Sequence, residues 1–127
     1  MTEFVADASA MLAFARGEPG EKRVAKVREH CIVSSLNLLE AFSKLVRCDV
    51  PAEQVRLFLR ESFPRVIPID RDLAESSAIF HASSRNLGLS YADCVCLVLG
   101  NQRGAVVLTA DRGWKKVDLN VKVELIR

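Results

Sequence analysis

A chain of 127 residues, half of them apolar, supports one hydrophobic core without disulfide or metal staples, so a single domain over residues 1–127 is expected. With 18 Lys and Arg against 16 Asp and Glu, a net charge of +2 excludes an acidic tail, a highly basic nucleic-acid coat and intrinsic disorder. One Trp and one Tyr argue against a broad base-stacking platform, no apolar run reaches bilayer length, and Met1-Thr2-Glu3-Phe4-Val5 lacks the features of a secretory signal, so a cytoplasmic protein with no membrane segment is expected.

In chain order, Phe4-Val5-Ala6 is a short apolar run ending at Asp7, which predicts a buried strand. Residues 8–16 predict a helix, stopped by Arg16-Gly17-Glu18-Pro19-Gly20. A charged helix over residues 21–29 follows, with Lys22, Arg23, Lys26 and Arg28 on a solvated face. Cys31-Ile32-Val33 predicts the second strand. Residues 35–47 are helical in pattern, with Leu38, Leu39, Phe42, Leu45 and Val46 as the apolar stripe. Pro51 opens a further helix carrying Val55, Leu57, Phe58 and Leu59, whose first use is core packing, with a groove for a partner helix as the alternative. Val66-Ile67-Pro68-Ile69 predicts a third strand that its proline confines to an edge. Asp70 or Asp72 caps a long helix to about residue 86, where Gly88 stops it, and Ser90 opens another to about residue 102. Ala105-Val106-Val107-Leu108 is the fourth predicted strand and residues 121–126 alternate as a fifth. Short apolar strands separated by helices predict an α/β fold, a parallel five-stranded sheet with helices on both faces. Right-handed crossovers then bring the strand C-termini to one edge, where such folds place their ligands.

Cys31, Cys48, Cys94 and Cys96 include no C-x-x-C pair and are read as buried thiols of a reducing compartment. His30 and His81 fall on polar helix faces as surface residues.

Four acids are placed toward the C-terminal edge of the sheet. Asp7 ends strand one, Asp111 follows strand four, Asp93 lies in the first turn of the helix from Ser90, and Glu40 lies one to two turns into the helix after strand two. Each has a local explanation. Asp7 suits a helix N-cap, Ser90-Tyr91-Ala92-Asp93 is a capping box, Glu40 precedes Lys44 in a favourable i,i+4 order, and Asp111-Arg112-Gly113 is a turn sequence. Together they ask for more, because two carboxylates ~4 Å apart repel by roughly 4 kcal/mol near a protein surface. Four held close require protonation or a cation, and oxygen ligands without His or Cys select Mg²⁺ or Mn²⁺ over zinc. Such an ion activates water and neutralises a phosphate under in-line attack, with Thr109, and by the same logic Ser9, offering a hydroxyl nearby.

Val5-Ala6-Asp7-Ala8-Ser9-Ala10, Ser35-Leu36-Asn37-Leu38-Leu39-Glu40, Leu89-Ser90-Tyr91-Ala92-Asp93 and Leu108-Thr109-Ala110-Asp111-Arg112 resemble the four acidic motifs of the PIN-domain family, and of its VapC-type toxins in particular. The resemblance spans the whole chain. It implies a PIN-like sheet and a Mg²⁺- or Mn²⁺-dependent endoribonuclease, the toxin of a toxin–antitoxin pair, with Asp7, Glu40, Asp93 and Asp111 as catalytic and metal-holding acids and Thr109 in support. It further implies a homodimer and a VapB-like antitoxin that covers the site. Asn37 also matches a common family residue; helix capping explains it equally.

With the four acids set aside, 18 basic residues face 12 acidic ones, so the remaining surface is basic at +6. Arg112, Lys115 and Lys116 are candidates for gripping substrate phosphates, with Ser9 beside them, although a solvated loop explains the three cations as well. A non-catalytic RNA- or protein-binding module of the same fold is the alternative. An aspartyl-phosphate phosphatase fits less well, because Ser9 stands where a second Asp would be needed, and no nucleotide-binding glycine motif is present.

Overall fold

The structure, a computed structural model, describes residues 2–127; Met1, the first residue of the stretch read for a secretory signal, lies outside them. Five parallel strands, β1 (Phe4–Ala6), β2 (Cys31–Ser34), β3 (Val66–Ile67), β4 (Val106–Thr109) and β5 (Lys122–Leu125), form one sheet in the order β3-β2-β1-β4-β5. Six helices connect them: α1 (Ala8–Arg16), α2 (Glu21–Val27), α3 (Ser35–Arg47), α4 (Ala52–Ser62), α5 (Arg71–Ser83) and α6 (Tyr91–Arg103). Strand order reverses at β1, which has β2 on one side (Phe4 opposite Cys31) and β4 on the other (Ala6 opposite Leu108). The crevice beyond the ends of β1 and β4 is therefore the switch point where open parallel sheets bind ligands.

Alternation along the strands divides the core in two. Phe4, Ala6, Cys31, Val33 and Leu108 face α1 to α4, while Val5, Ile32, Val107 and Val123 face α5, α6 and the buried Trp114. The sheet is thus covered on both faces, as the apolar strands require. Gly100 lets α6 sit against β4, because a Cβ there would run into the Val107 side chain. At the opposite edge from the crevice, Glu3 is clasped by Arg65 and Arg103. Arg103 most of all holds that carboxyl down at about 2, with Arg65 assisting against the opposing effect of burial.

Several boundaries differ from expectation. The charged helix ends at Val27 and continues as a 3-10 turn, Arg28–His30, closed by a bond from the Cys31 amide to the Arg28 carbonyl. Its cations are not all solvated: Arg23 pairs with Glu124 across to β5, and Arg28 lies over the Phe14 ring at 5.2 Å. The helix α5 stops at Ser83, because the Ser83 and Ser84 hydroxyls both donate to the Phe80 carbonyl; a 3-10 turn, Arg85–Leu87, then leads to Gly88. Of the two candidate caps, Asp70 is the one used, accepting from the Leu73 amide.

The stripe of α3 is rotated from the expected one. The buried line runs through Asn37, Ala41 and Leu45, while Leu39 is 62% exposed. The small Ala41 lets α3 approach closely, which turns the larger Leu38 and Phe42 to the flank. On α4, Val55 and Leu59 are buried, but Leu57 is exposed and Phe58 is partly so, its ring stacked on Phe14. The proline-confined strand is an edge strand as expected, pairing Val33 with Val66. Cys31, Cys94 and Cys96 are buried free thiols; Cys48 is a free thiol exposed to solvent.

Candidate active site

Asp7 is the residue after β1 and the N-cap of α1, and its extended backbone turns the carboxylate back over the helix start. Oδ1 accepts from the Ala10 amide at 2.8 Å and from the Ser9 hydroxyl at 2.7 Å. Oδ2 accepts from the Thr109 hydroxyl at 2.6 Å, a contact that joins the ends of β1 and β4. Thr109 Oγ1 in turn accepts from the Asp111 amide at 3.0 Å, and Ser9 Oγ accepts from the Ala110 amide at 2.9 Å. Three side chains from the two central strand ends thus form one closed network around a carboxylate that is 5% exposed. Burial pushes Asp7 up to about 6 from 3.8; the charge of Asp93 adds to this, and the bonds from Thr109, Ser9 and Ala10 oppose it.

Asp93 sits half-buried in the first turn of α6. Its Oδ2 accepts from the Ser90 amide at 2.9 Å while the Ser90 hydroxyl accepts from the Asp93 amide, the expected capping box. Glu40 faces Lys44 one turn along α3, at 3.8 Å. The thiol of Cys96, fully buried in α6, is pushed well above its usual range by burial and then by the charges of Asp7, Asp93 and Glu40. Sequence reasoning gave this cysteine no place at the site; its one signal was its position on the apolar helix after Asp93. Asp111, whose amide joins the Thr109 network, is exposed, and its carboxylate accepts from the Gly113 amide at 2.9 Å.

The cations expected to hold phosphates differ in their freedom. Arg112 and Lys116 are exposed in the 3-10 turn Arg112–Lys116 that follows Asp111. Lys115 has its ammonium tied to the Val123 carbonyl at 2.7 Å, so it braces that turn against β5. Asn37 is buried and exchanges bonds with Ser34, the N-cap of α3, which supports its capping role. His81 is half-buried with its ring 4.7 Å from that of Tyr91, where an isolated surface residue was expected.

The family model for the PIN domain matches residues 4–120, a span that contains all four acids. The chain belongs to the PIN domain family. The fold of this PIN domain is similar to that of a DNA-bound VapBC from Salmonella typhimurium, at 17% identity and a TM-score of 0.76 over 100% of both chains. It is also similar to a sarcin–ricin loop-cleaving VapC toxin from Mycobacterium tuberculosis, at 17% identity and a TM-score of 0.76 over 92% of this chain and 96% of the other. A third likeness is to FitAcB from Neisseria gonorrhoeae, at 20% identity and a TM-score of 0.71 over 97% of each chain. No curated protein matches the chain.

In this PIN domain the acids are gathered at one edge but engaged locally. Among the described residues, no three Asp, Glu, His or Cys side chains lie close enough to share one ion, because Asp93, Asp111 and Glu40 are each turned to a neighbour on their own segment. The donor chemistry nevertheless suits a hard cation. The acids offer oxygen only, and among the described residues Asp7, Asp93 and Asp111 form no ion pair. A buried carboxylate whose ionised form is disfavoured by burial, with the charge of Asp93 acting on it as well, is what a divalent ion relieves.

Proposed function

We propose that this PIN domain is a VapC-type endoribonuclease, the toxin of a toxin–antitoxin pair, using Mg²⁺ or Mn²⁺. One observation carries the reading: Asp7 is buried at the strand switch point, held by Thr109 and Ser9 with no ion pair among the described residues, and the charge of Asp93 acts on it. Asp7 and Asp93, with Glu40 and Asp111 turned inward, would hold the ion. When bound, it supplies Lewis-acid charge to the phosphate and acidifies a water.

The chain's own residues do the rest. Thr109 and Ser9 pin the two oxygens of Asp7 and fix its plane. Asp93 anchors one oxygen on the Ser90 amide and keeps Oδ1 open to take the proton of an attacking water. The water oxygen bonds to phosphorus, the opposite P–O bond breaks, and solvent protonates the leaving oxygen. Arg112 and Lys116 are exposed where flanking phosphates would pass, and Lys115 keeps their turn in place. The solved structures similar in fold include toxin–antitoxin assemblies, which supports a VapB-like antitoxin as partner; a homodimer belongs to the same proposal. The groove of about 520 Å³ bordered by Leu38, Phe42, Phe63, Arg56 and Arg60 suits an amphipathic helix with acidic residues from that partner.

Incubating the chain with single-stranded RNA tests this: cleavage is expected with Mg²⁺ or Mn²⁺, none with EDTA, and a loss of about a hundredfold or more in Asp7→Asn and Asp93→Asn. Both variants cutting at the unmodified rate would overturn the reading. The second reading, a non-catalytic RNA- or protein-binding module, is favoured by the local engagement of each acid. It requires that divalent ions leave the melting temperature unchanged.

A further inference from the structure

We propose that Glu3 and Arg103 are positioning residues for the candidate site: their ion pair fixes the level at which α6 stands against β1, and so how far Asp93 stands from Asp7. The consequence for a bound ion rests on the nuclease reading above; the link between the two ends of α6 does not.

The two elements run side by side in opposite senses, with Asp93 acting on Asp7 at one end and Arg103 bonded to Glu3 at the other. At about 3.3 Å per residue of strand, Glu3 to Asp7 spans about 13 Å. At about 1.5 Å per residue of helix, Asp93 to Arg103 spans about 15 Å. Lengths so nearly equal mean that joining Glu3 to Arg103 brings Asp93 level with Asp7. The faces agree as well. Asp93, Cys96, Gly100 and Arg103 recur at helical spacing on one side of α6, where Cys96 is fully buried and a Cβ at Gly100 would run into Val107. Glu3 shares a side of the strand with Val5, which belongs to the half of the core that α6 covers.

The holds at the two ends differ in kind. At the far end the Arg103 guanidinium donates in a fork, Nε to Glu3 Oε1 at 2.8 Å and Nη2 to Oε2 at 3.1 Å. Arg65, just ahead of β3, donates to Oε2 at 2.6 Å, and the Glu3 carbonyl accepts from the Val106 amide, so Glu3 is itself fixed in the sheet. At the site end Asp93 bonds, among the described residues, only to Ser90 on its own segment, and its charge opposes that of Asp7. The packing between the ends is apolar and non-directional, which lets a helix slide, whereas a guanidinium–carboxylate fork holds one register. Asn101 also ties α6, but to the Asn120 carbonyl ahead of β5. Attraction at the Glu3 end thus offsets repulsion at the Asp7 end.

The test compares Arg103→Gln with Arg65→Gln in the full chain. Each removes one arm from the same carboxylate, but only Arg103 lies on α6, so a mere loss of stability would affect both alike. In metal-free protein, nitrogen–proton NMR spectra should show the Ala92 and Asp93 amides, about 15 Å along the helix, shifted in Arg103→Gln and unmoved in Arg65→Gln. Titration with Mn²⁺ should give a dissociation constant raised about three- to tenfold in Arg103→Gln and unchanged in Arg65→Gln. Glu3→Gln and the Glu3→Gln/Arg103→Gln double variant should show that same rise, because the pair acts as a unit. Should Arg103→Gln fail to fold, Arg103→Lys, which keeps the charge and loses the fork, is read in the same way. Unmoved Ala92 and Asp93 amides, equal effects in Arg65→Gln, or an unchanged Mn²⁺ affinity would overturn the proposal. If the amides move as expected but the unmodified chain binds no Mn²⁺, the link between the ends of α6 stands and the nuclease reading fails.

Discussion

Thr109 holds two acids at once: its hydroxyl donates to Asp7 and accepts from the Asp111 amide, with no exposure to solvent. Thr109→Val keeps the shape and removes both bonds, so it is expected to cost about 1–3 kcal/mol in urea unfolding and to lower activity, while Thr109→Ser retains most of both. The loss also takes away the bond that does most to hold Asp7 down, so the carboxyl should titrate higher still. Asp7 itself gives the stability curve a definite sign. Its folded value of about 6 lies above the ordinary 3.8, so between those values the unfolded chain has released a proton that the folded chain keeps. Stability therefore falls as pH rises through that window, by about 3 kcal/mol in all, and levels off above it. In Asp7→Asn this fall should vanish, which a comparison of urea midpoints near pH 4 and near neutrality will show. That Asp7 and Thr109 stand at strand ends was legible in the sequence, because each follows an apolar run. The capping box that turns Asp93 to the Ser90 amide was legible too, because its spacing is local; that Lys115 turns to the Val123 carbonyl was not, because that partner lies on another element.

Elements were legible where their signals are local. Gly17, Pro51, Gly88 and Ser90 each punctuate the chain by a backbone preference of their own, and the helices begin and end close to them. Faces were harder to read. On α3 apolar residues occupy three rows, and only the packed partners choose the row through Asn37, Ala41 and Leu45. The strand order also lay beyond local pattern, since β1 pairs with strands both near and far along the chain. Gly100 makes the point energetically. In an isolated helix, Gly100→Ala would gain about 1 kcal/mol from propensity. Here the new methyl meets Val107, and overpacking of a tight core costs about 1–3 kcal/mol. The variant is expected to melt lower than the parent, and an unchanged or raised melting temperature would show that α6 can shift from the sheet without penalty.

For the whole molecule, an ion that binds the folded state alone must stabilise it. At a hundredfold excess over its dissociation constant, Mn²⁺ should add about 2.7 kcal/mol at neutral pH, read as a raised melting temperature that Asp93→Asn abolishes. Under the proposed metal site, Glu40 would have to leave Lys44 and Asp111 the Gly113 amide, so affinity would be set partly by what those local bonds cost to break. The closed network at the switch point has a further consequence for how the protein comes into being. Asp7 and its partner Thr109 are 102 residues apart, so the first of the four candidate site acids to be translated waits for almost the last strand before its surroundings exist. During synthesis the emerging N-terminal half carries Asp7 without β4 at its side. A prematurely terminated fragment that ends before Thr109 therefore lacks the assembled centre, and whatever that centre does begins only once translation is nearly done.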